Sequence, residues 1–324
     1  MTAWLTRRLV QAFFIVLAMT AIVFVAVSVI GNPVDVLISP EADLIERDQV
    51  IKSFGLDQPL WRQYLNFVGA LAHGNLGKSF VYGESTFKVI LERMPATFEL
   101  AVSALLLSIA LGIPLGLYAG LKPDSLVSKT IMGASILGFS LPTFWVGLLF
   151  IMIFAVQLGW LPSTGRGETV TVLGVPWSFL TVDGLRHLVL PAVTLALFNI
   201  SLVMRLTRAG VREVLPQEYI KFARAKGLKE SRVIGVHVFK NILIPVVTVI
   251  GLEFASLIAF SVVTESIFAW PGMGKLIIDS INKLDRPMIV TYLMMIVVLF
   301  ITINLVVDFL YTVLDPRVRI DNQA

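Results

Sequence analysis

Six apolar stretches, each long enough to cross a bilayer, constrain this 324-residue chain more than anything else in it. They run approximately over Leu9–Ile30, Leu100–Tyr118, Ile131–Leu158, Leu188–Met204, Ile242–Thr264 and Met288–Tyr311. A hydrocarbon core about 30 Å thick takes roughly 20 helical residues. Within it the backbone must satisfy its own hydrogen bonds, so only helices and closed barrels span. Barrel strands would alternate in segments of about ten residues. These runs are unbroken, so the sequence predicts an all-α membrane protein of six transmembrane helices. The third run is long enough to tilt or to break near Pro142. With 56% hydrophobic and 15% charged residues, little of the chain remains for a water-soluble domain.

Leu9–Ile30 follows Arg7 and Arg8 and so imitates a signal peptide. Its 22 residues exceed an ordinary signal core, and Gly31-Asn32-Pro33 is no small-x-small cleavage site. It reads as a retained first span. Lys and Arg then set the orientation. With the N-terminus in the cytoplasm, the inside loops hold fifteen: Arg7, Arg8, Lys122, Lys129, nine from Arg205 to Lys240, Arg317 and Arg319. The outside loops hold five: Arg166, Arg186, Lys275, Lys283 and Arg286. Gly31–Glu99 is too long to vote. Both termini are expected in the cytoplasm, and the basic pI of 9.3 is a topology signal that needs no nucleic acid to explain it.

The expected organisation has three parts. Residues 1–95 hold the first span and an external cap segment with amphipathic runs such as Leu60–Leu71. Residues 96–313 form a core of five helices, interrupted by a cytoplasmic loop at 205–241. Residues 314–324 are a cytoplasmic tail. The outer turns Gly159–Gly165 and Trp270–Gly274 each place a Trp at headgroup depth.

Several chemistries are excluded or disfavoured. The chain has no cysteine, so disulfides and thiolate metal sites are absent. Gly74-Asn75-Leu76-Gly77-Lys78-Ser79 ends like a phosphate loop, but Ala72 stands where its first glycine belongs. Pro271-Gly272-Met273-Gly274-Lys275 is followed by Leu276, which offers no hydroxyl for Mg²⁺. His73, His187 and His237 lie at loops or span ends, and no nucleophile–base pair or metal cluster falls inside the spans. The chain reads as neither an enzyme nor an ATPase, with no catalytic, cofactor or metal residue of its own.

The loop Arg205–Asn241 carries the clearest functional pattern. Proline suits a first helical turn and glycine the left-handed stop, so Pro216–Lys226 predicts an 11-residue helix ended by Gly227. Tyr219, Phe222 and Ala223 fall on one face at i, i+3 and i+4, with Lys221 and Arg224 beside them. Such a helix, tethered at both ends to spans, is placed to dock on a partner or to lie on a lipid surface. Arg205, Arg208 and Arg212 read as snorkelling anchors. Glu253 lies mid-span in the fifth helix, as a polar-pathway or helix-locking residue. Asp308 follows Asn304 by about one turn in the sixth. These carboxylates leave a proton-coupled secondary carrier using Glu253 and Asp308 as the alternative.

The loop residues Glu218, Tyr219, Ile220, Lys221, Phe222, Ala223, Arg224, Ala225, Lys226, Gly227 and Leu228 resemble the EAA loop of permease subunits in binding-protein-dependent ABC importers. The Ala223–Leu228 portion is similar to the dipeptide, oligopeptide and nickel branch. So are Phe54–Pro59, Gly74–Ser79, Gly159–Pro162, Glu265–Gly274 and Leu314–Arg319. The long segment after the first span resembles the first permease of the pair. The general motif's Glu-Ala-Ala maps onto Lys221-Phe222-Ala223, and its Ile-x-Leu-Pro onto His237–Lys240, so only Ala223 and Gly227 match it. The resemblance implies a type I importer permease fold in the bacterial inner membrane. It implies a second homologous permease, two cytoplasmic ATPases that hold ATP and Mg²⁺, and an external binding protein delivering di- or oligopeptides. It also implies that the loop around Gly227, including Glu218, Tyr219, Phe222, Ala223, Arg224, Ala225 and Leu228, seats on an ATPase.

Overall fold

The computed structural model describes residues 2–29, 48, 51, 52 and 57–314. Phe54–Leu56 and the tail from Asp315, both parts of the motifs above, lie outside the described residues, as does the Asp308 side chain. In chain order the elements are α1 (Thr2–Val29), α2 (Leu60–Ala72), α3 (Thr86–Leu121), α4 (Leu126–Ser140) and α5 (Thr143–Phe150), which continues as a π-helical turn over Ile151–Gln157. A small antiparallel hairpin follows, β1 (Val170–Val172) and β2 (Val175–Trp177). Then come α6 (Val182–Val214), α7 (Glu218–Ala225), a turn at Glu230–Arg232 with a π-helical segment Val233–Val238, α8 (Phe239–Ile267), α9 (Met273–Asn282) and α10 (Arg286–Leu314).

Five of these helices, α1, α3, α6, α8 and α10, are long and apolar enough to cross a membrane. The sixth candidate is the pair α4 and α5, bent by 107°. The bend falls at Leu141-Pro142, where the proline ring pushes the preceding residue out of helical geometry: Leu141 has φ −80° and ψ 133°. The expected break near Pro142 is therefore real. Pro95, Pro114, Pro191 and Pro245 stay inside continuous helices. α4 starts at a Ser125 cap that accepts from Ser128 N–H at 3.1 Å, and α6 at a Thr181 cap that accepts from Gly184 N–H at 2.8 Å.

Contacts divide the chain into two units. The first comprises Met1–Met94 and Gly272–Thr302. In it α2, which coincides with the amphipathic run Leu60–Leu71, packs on α1. The Thr20 and Tyr64 hydroxyls are hydrogen-bonded at 2.9 Å, and Phe24 meets the Tyr64 and Phe67 rings. The phosphate-loop look-alike has a structural role here. Its Ser79 hydroxyl donates to the buried Asp285 carboxylate, which also accepts the Phe80 N–H at 3.2 Å. Thr86 and Thr291 join hydroxyls at 2.9 Å, and Thr291 donates to Leu76 O at 3.1 Å. Gly74–Ser79 is thus clamped to the start of α10.

The second unit comprises Pro95–Pro271 and Ile303–Ala324. At its centre α6 packs against α4, α5 and α8. α3 meets α6 through Gly112, Gly116 and Gly120, one stripe at four-residue spacing. A Cβ at Gly112 would lie 2.8 Å from Val203 Cβ, one at Gly120 2.6 Å from Val211 Cβ, and one at Gly116 would overlap Met204 O. Small residues let the two backbones approach, which is how helices associate where lipid removes the hydrophobic driving force.

Candidate functional site

The loop singled out above is shorter than expected, because helix takes over much of it. α6 continues through Arg205, Arg208 and Arg212 to Val214, and α8 begins at Phe239. The helix between them is Glu218–Ala225, eight residues rather than the expected Pro216–Lys226. Gln217 is its N-cap in extended geometry, so Pro216 sits before the cap and not in the first turn. Lys226 is its C-cap.

α7 is folded onto its own chain. Ile220 and Ala223 are buried among Val211, Val233, Val238 and Ile242, with Leu215, Leu228 and Phe239 packed around them. This corrects the expected grouping of Ala223 with Tyr219 and Phe222. Ala223 faces inward beside Ile220, a residue the helical pattern did not single out. Tyr219 and Phe222 are left 43% and 61% exposed, and Glu218, Arg224 and Ala225 are exposed too. Two aromatic side chains held at the surface of a helix whose other face is fully packed form a rigid apolar prominence. Lys226 Nζ lies 4.6 Å from the Phe222 ring, and Lys221 pairs with Glu218 at 2.8 Å.

The end of α7 shows why Gly227 is glycine. Its φ is +73°, and two bonds close a Schellman turn: Gly227 N–H to Arg224 O at 2.9 Å and Leu228 N–H to Ala223 O at 3.3 Å. No atom stands within 4 Å of a Cβ placed there, so only backbone geometry opposes a side chain. Gly227→Ala is expected to destabilise the turn by about 1–2 kcal/mol, and Gly227→Asn by less, because asparagine tolerates the left-handed region. Hydrogen exchange of the 224–230 amides measures this, with protection falling in the order Gly, Asn, Ala.

Arg224 then reaches across the turn to Glu230, Nη2 to Oε1 at 2.6 Å and Nε to Oε2 at 3.2 Å. The hydrogen bond from Arg224 holds the Glu230 carboxyl below its ordinary value, and that to Glu230 raises the Arg224 guanidinium. A depressed carboxyl contributes stability above its unfolded pKa and loses it as pH falls through the folded value. The raised arginine keeps its share at every working pH. The pair is solvent-screened and small in energy. Amide protection at 224–230 is therefore expected to hold from neutral to mildly acidic pH and to fall only in the carboxylate range. Glu230→Gln should show the low-pH behaviour at neutral pH.

Arg205 and Arg208 do not simply snorkel. Arg205 lies over the Phe139 ring at 4.3 Å, and the Nε atoms of both arginines are buried without an acceptor among the described residues. Glu253 sits mid-helix in α8, half-buried, with no hydrogen bond or ion pair among the described residues. The helix-lock reading for it has no partner there. Of the other expected carboxylate, only the backbone position of Asp308 in α10 is described.

Sequence reasoning missed a second cluster. Glu99, at the head of α3's apolar run, accepts Arg166 Nε at 2.9 Å and Nη2 at 2.5 Å, the Ser178 N–H at 2.7 Å and hydroxyl at 2.8 Å, and the Phe179 N–H at 2.8 Å. Both side chains of the ion pair are buried. Arg166 also donates to Pro176 O at 2.8 Å, which ties in the β-hairpin. Beneath it Trp270 is fully buried, its indole N–H bonding Ala96 O at 2.9 Å, so Trp270 is a core residue and not an interfacial anchor. Trp160 is 61% exposed, compatible with its expected headgroup position. Glu265, also fully buried, accepts from Thr97 at 2.7 Å and Ser261 at 2.9 Å. Within the Glu265–Gly274 motif, Glu265 and Trp270 are therefore packing and hydrogen-bonding residues of the core. A carboxylate opening an apolar run was the one signal available for Glu99.

Five helices long and apolar enough to span, a bent pair broken at proline, and a short surface helix packed on α6 and α8 define a multi-pass membrane protein. A chain from a crystal structure of the MetNI methionine ABC transporter, in an inward-facing conformation, superposes with a TM-score of 0.55. It is 15% identical and covers 71% of this chain and 97% of its own. The chain belongs to the binding-protein-dependent transport system inner membrane component family, whose profile matches residues 112–320, with that family's N-terminal profile matching 1–101. It is 39% identical to the di/tripeptide transport system permease protein DppB of Pseudomonas aeruginosa strain UCBPP-PA14, over 98% of this chain and 99% of that one. It is 38% identical to the oligopeptide transport system permease protein AppB of Bacillus subtilis strain 168, and 35% to the dipeptide permease DppB of Escherichia coli strain K12. Each of these alignments again covers 98% of this chain. It is an ABC transporter permease of the inner membrane.

Proposed function

We propose that the chain is one of two homologous permeases of an ATP-driven importer for di- or oligopeptides handed over by an external binding protein. Its N- and C-termini lie in the cytoplasm, which puts α7 on the cytoplasmic face. The cap segment of residues 1–95, the core of 96–313 and the tail of 314–324 are the working divisions. Two separate ATPases bind ATP and Mg²⁺, and one of them receives the α7 prominence.

The observation that carries this reading is the exposure of Tyr219 and Phe222 on a helix packed at its back to Val211 of α6 and Ile242 of α8. Force applied to α7 passes into two spans through that packing, without a flexible linker. An ATPase that binds one state of the permease more tightly shifts its population toward that state. Peptide as cargo rests on what the relatives are named for transporting.

The test is uptake of labelled dialanine by proteoliposomes holding the whole complex, with ATP inside and binding protein outside. Phe222→Asp should assemble in the membrane yet lose at least about tenfold in uptake, since a desolvated aromatic anchor commonly carries 2 kcal/mol or more of an interface. Uptake driven by a pH gradient without ATP would favour the carrier reading instead.

A further inference from the structure

α6 and α8 run antiparallel along a seam whose register their contacts fix. Near one end a Cβ on Gly210 would lie 3.1 Å from Ile242 Cγ2. Further along, Val203 is buried with Val246 and Ile250, and Leu206 packs against them. The α6 stripe is therefore Asn199, Val203, Leu206 and Gly210, and the α8 stripe is Ile242, Val246, Ile250 and Glu253. Each keeps the three- and four-residue spacing of a single helix face. Carrying the register one turn past Val203 and Ile250 brings Asn199 level with Glu253.

Both residues sit deep. Fourteen residues of α8 lie on either side of Glu253, and Asn199 is near the midpoint of α6. Asn199 is 5% exposed, and its Oδ1 is buried without a donor among the described residues. Glu253 has no partner among them either. Two acceptors, Asn199 Oδ1 and the Glu253 carboxylate, thus stand at one depth on facing stripes, neither with a hydrogen-bond partner among the described residues. An ionisable group inside a span is costly and marks a substrate or ion path unless something pairs it. The missing chemistry is a compact cation with several N–H donors.

On the peptide-import reading above, we infer that Asn199 and Glu253 form a midway site for the protonated amine at the amino terminus of the passing peptide. The carboxylate supplies the charge and the amide oxygen a second acceptor. An acylated peptide loses the charge and keeps a single amide N–H in place of three donors. The site gives the permease its own preference for free amino termini, beyond what the binding protein selects.

The experiment uses the complete importer in liposomes, with ATP inside and binding protein outside, and two probes, dialanine and N-acetyl-dialanine. The readout is the ratio of their initial uptake rates. The same binding protein serves every variant, so its own preference cancels between them. Glu253→Gln should lower the ratio by about tenfold, the scale of a lost charge-assisted hydrogen bond. Glu253→Asp should hold it within about threefold, because the charge remains. Asn199→Leu, which keeps volume and removes the acceptor, should lower the ratio by less than Glu253→Gln. An unchanged ratio in Glu253→Gln overturns the inference. So does failure of that variant to assemble with its partners, which would make Glu253 a contact between subunits. Dialanine uptake by the wild type without ATP would instead defeat the importer reading itself, and the two failures are separately visible.

Discussion

Arg166→Ala is expected to cost the folded chain about 3–5 kcal/mol, the penalty for leaving a buried charge without its partner. Glu99 would keep the Ser178 and Phe179 donors but face no cation, at a position almost sealed from solvent. The hairpin would also lose the bond from Arg166 to Pro176 O. The loss is large against the 5–15 kcal/mol that typically holds a domain together. Thermal unfolding in detergent and abundance in the membrane both report it. The paired change Glu99→Leu with Arg166→Met should recover only part of the loss, because Ser178 and Phe179 would then donate to nothing. Recovery to wild-type stability would show that the cluster contributes through packing alone.

Gly116→Leu should be as damaging by a different route. The stripe Gly112, Gly116, Gly120 brings α3 against α6 so closely that a single Cβ at Gly116 meets Met204 O and Thr207 Cβ. A rigid carbonyl in a continuous helix cannot swing aside as a flexible side chain does. Overpacking of this kind costs about 1–3 kcal/mol when the backbone gives locally, and more when whole helices must part. Gly116→Ala should show a fraction of the effect, and Gly69→Ala, at a glycine with nothing within 4 Å, should show little. Equal tolerance at Gly116 and Gly69 would refute the close approach.

What could be read in the sequence and what could not divide on physical grounds. Runs of apolar residues declare spans because lipid admits no other solution, and five long helices and one bent pair follow them. The break at Pro142 and the turn at Gly227 were legible because proline and glycine act on their own backbone. Helix ends were less so. Arg205 to Val214 is charged and reads as loop, yet it continues α6, since three turns of straight helix need only packing on one side. The face of α7 is ambiguous in the sequence for a related reason: periodicity finds a stripe but not which neighbour covers it. Only the contact of Ala223 and Ile220 with Val233 and Val238 decides that the stripe turns inward. Glu99 and Arg166 are 67 positions apart, and pattern cannot pair them. Trp270 looks interfacial until its N–H is seen bonding Ala96 O.

On the proposed function the exposed face of α7 seats on a nucleotide-driven partner, and a single engineered crosslink detects that contact. The chain contains no cysteine, so Phe222→Cys introduces its only thiol. Membranes holding the full complex are treated with a short bifunctional thiol–amine reagent, with and without ATP, and the adduct is identified by mass spectrometry. A crosslink from Phe222→Cys to a P-loop ATPase subunit is expected, and none from Ile220→Cys, whose position is fully buried. A Phe222→Cys thiol that reacts freely with a water-soluble maleimide in the assembled complex, and gives no ATPase adduct in either nucleotide state, would contradict that contact.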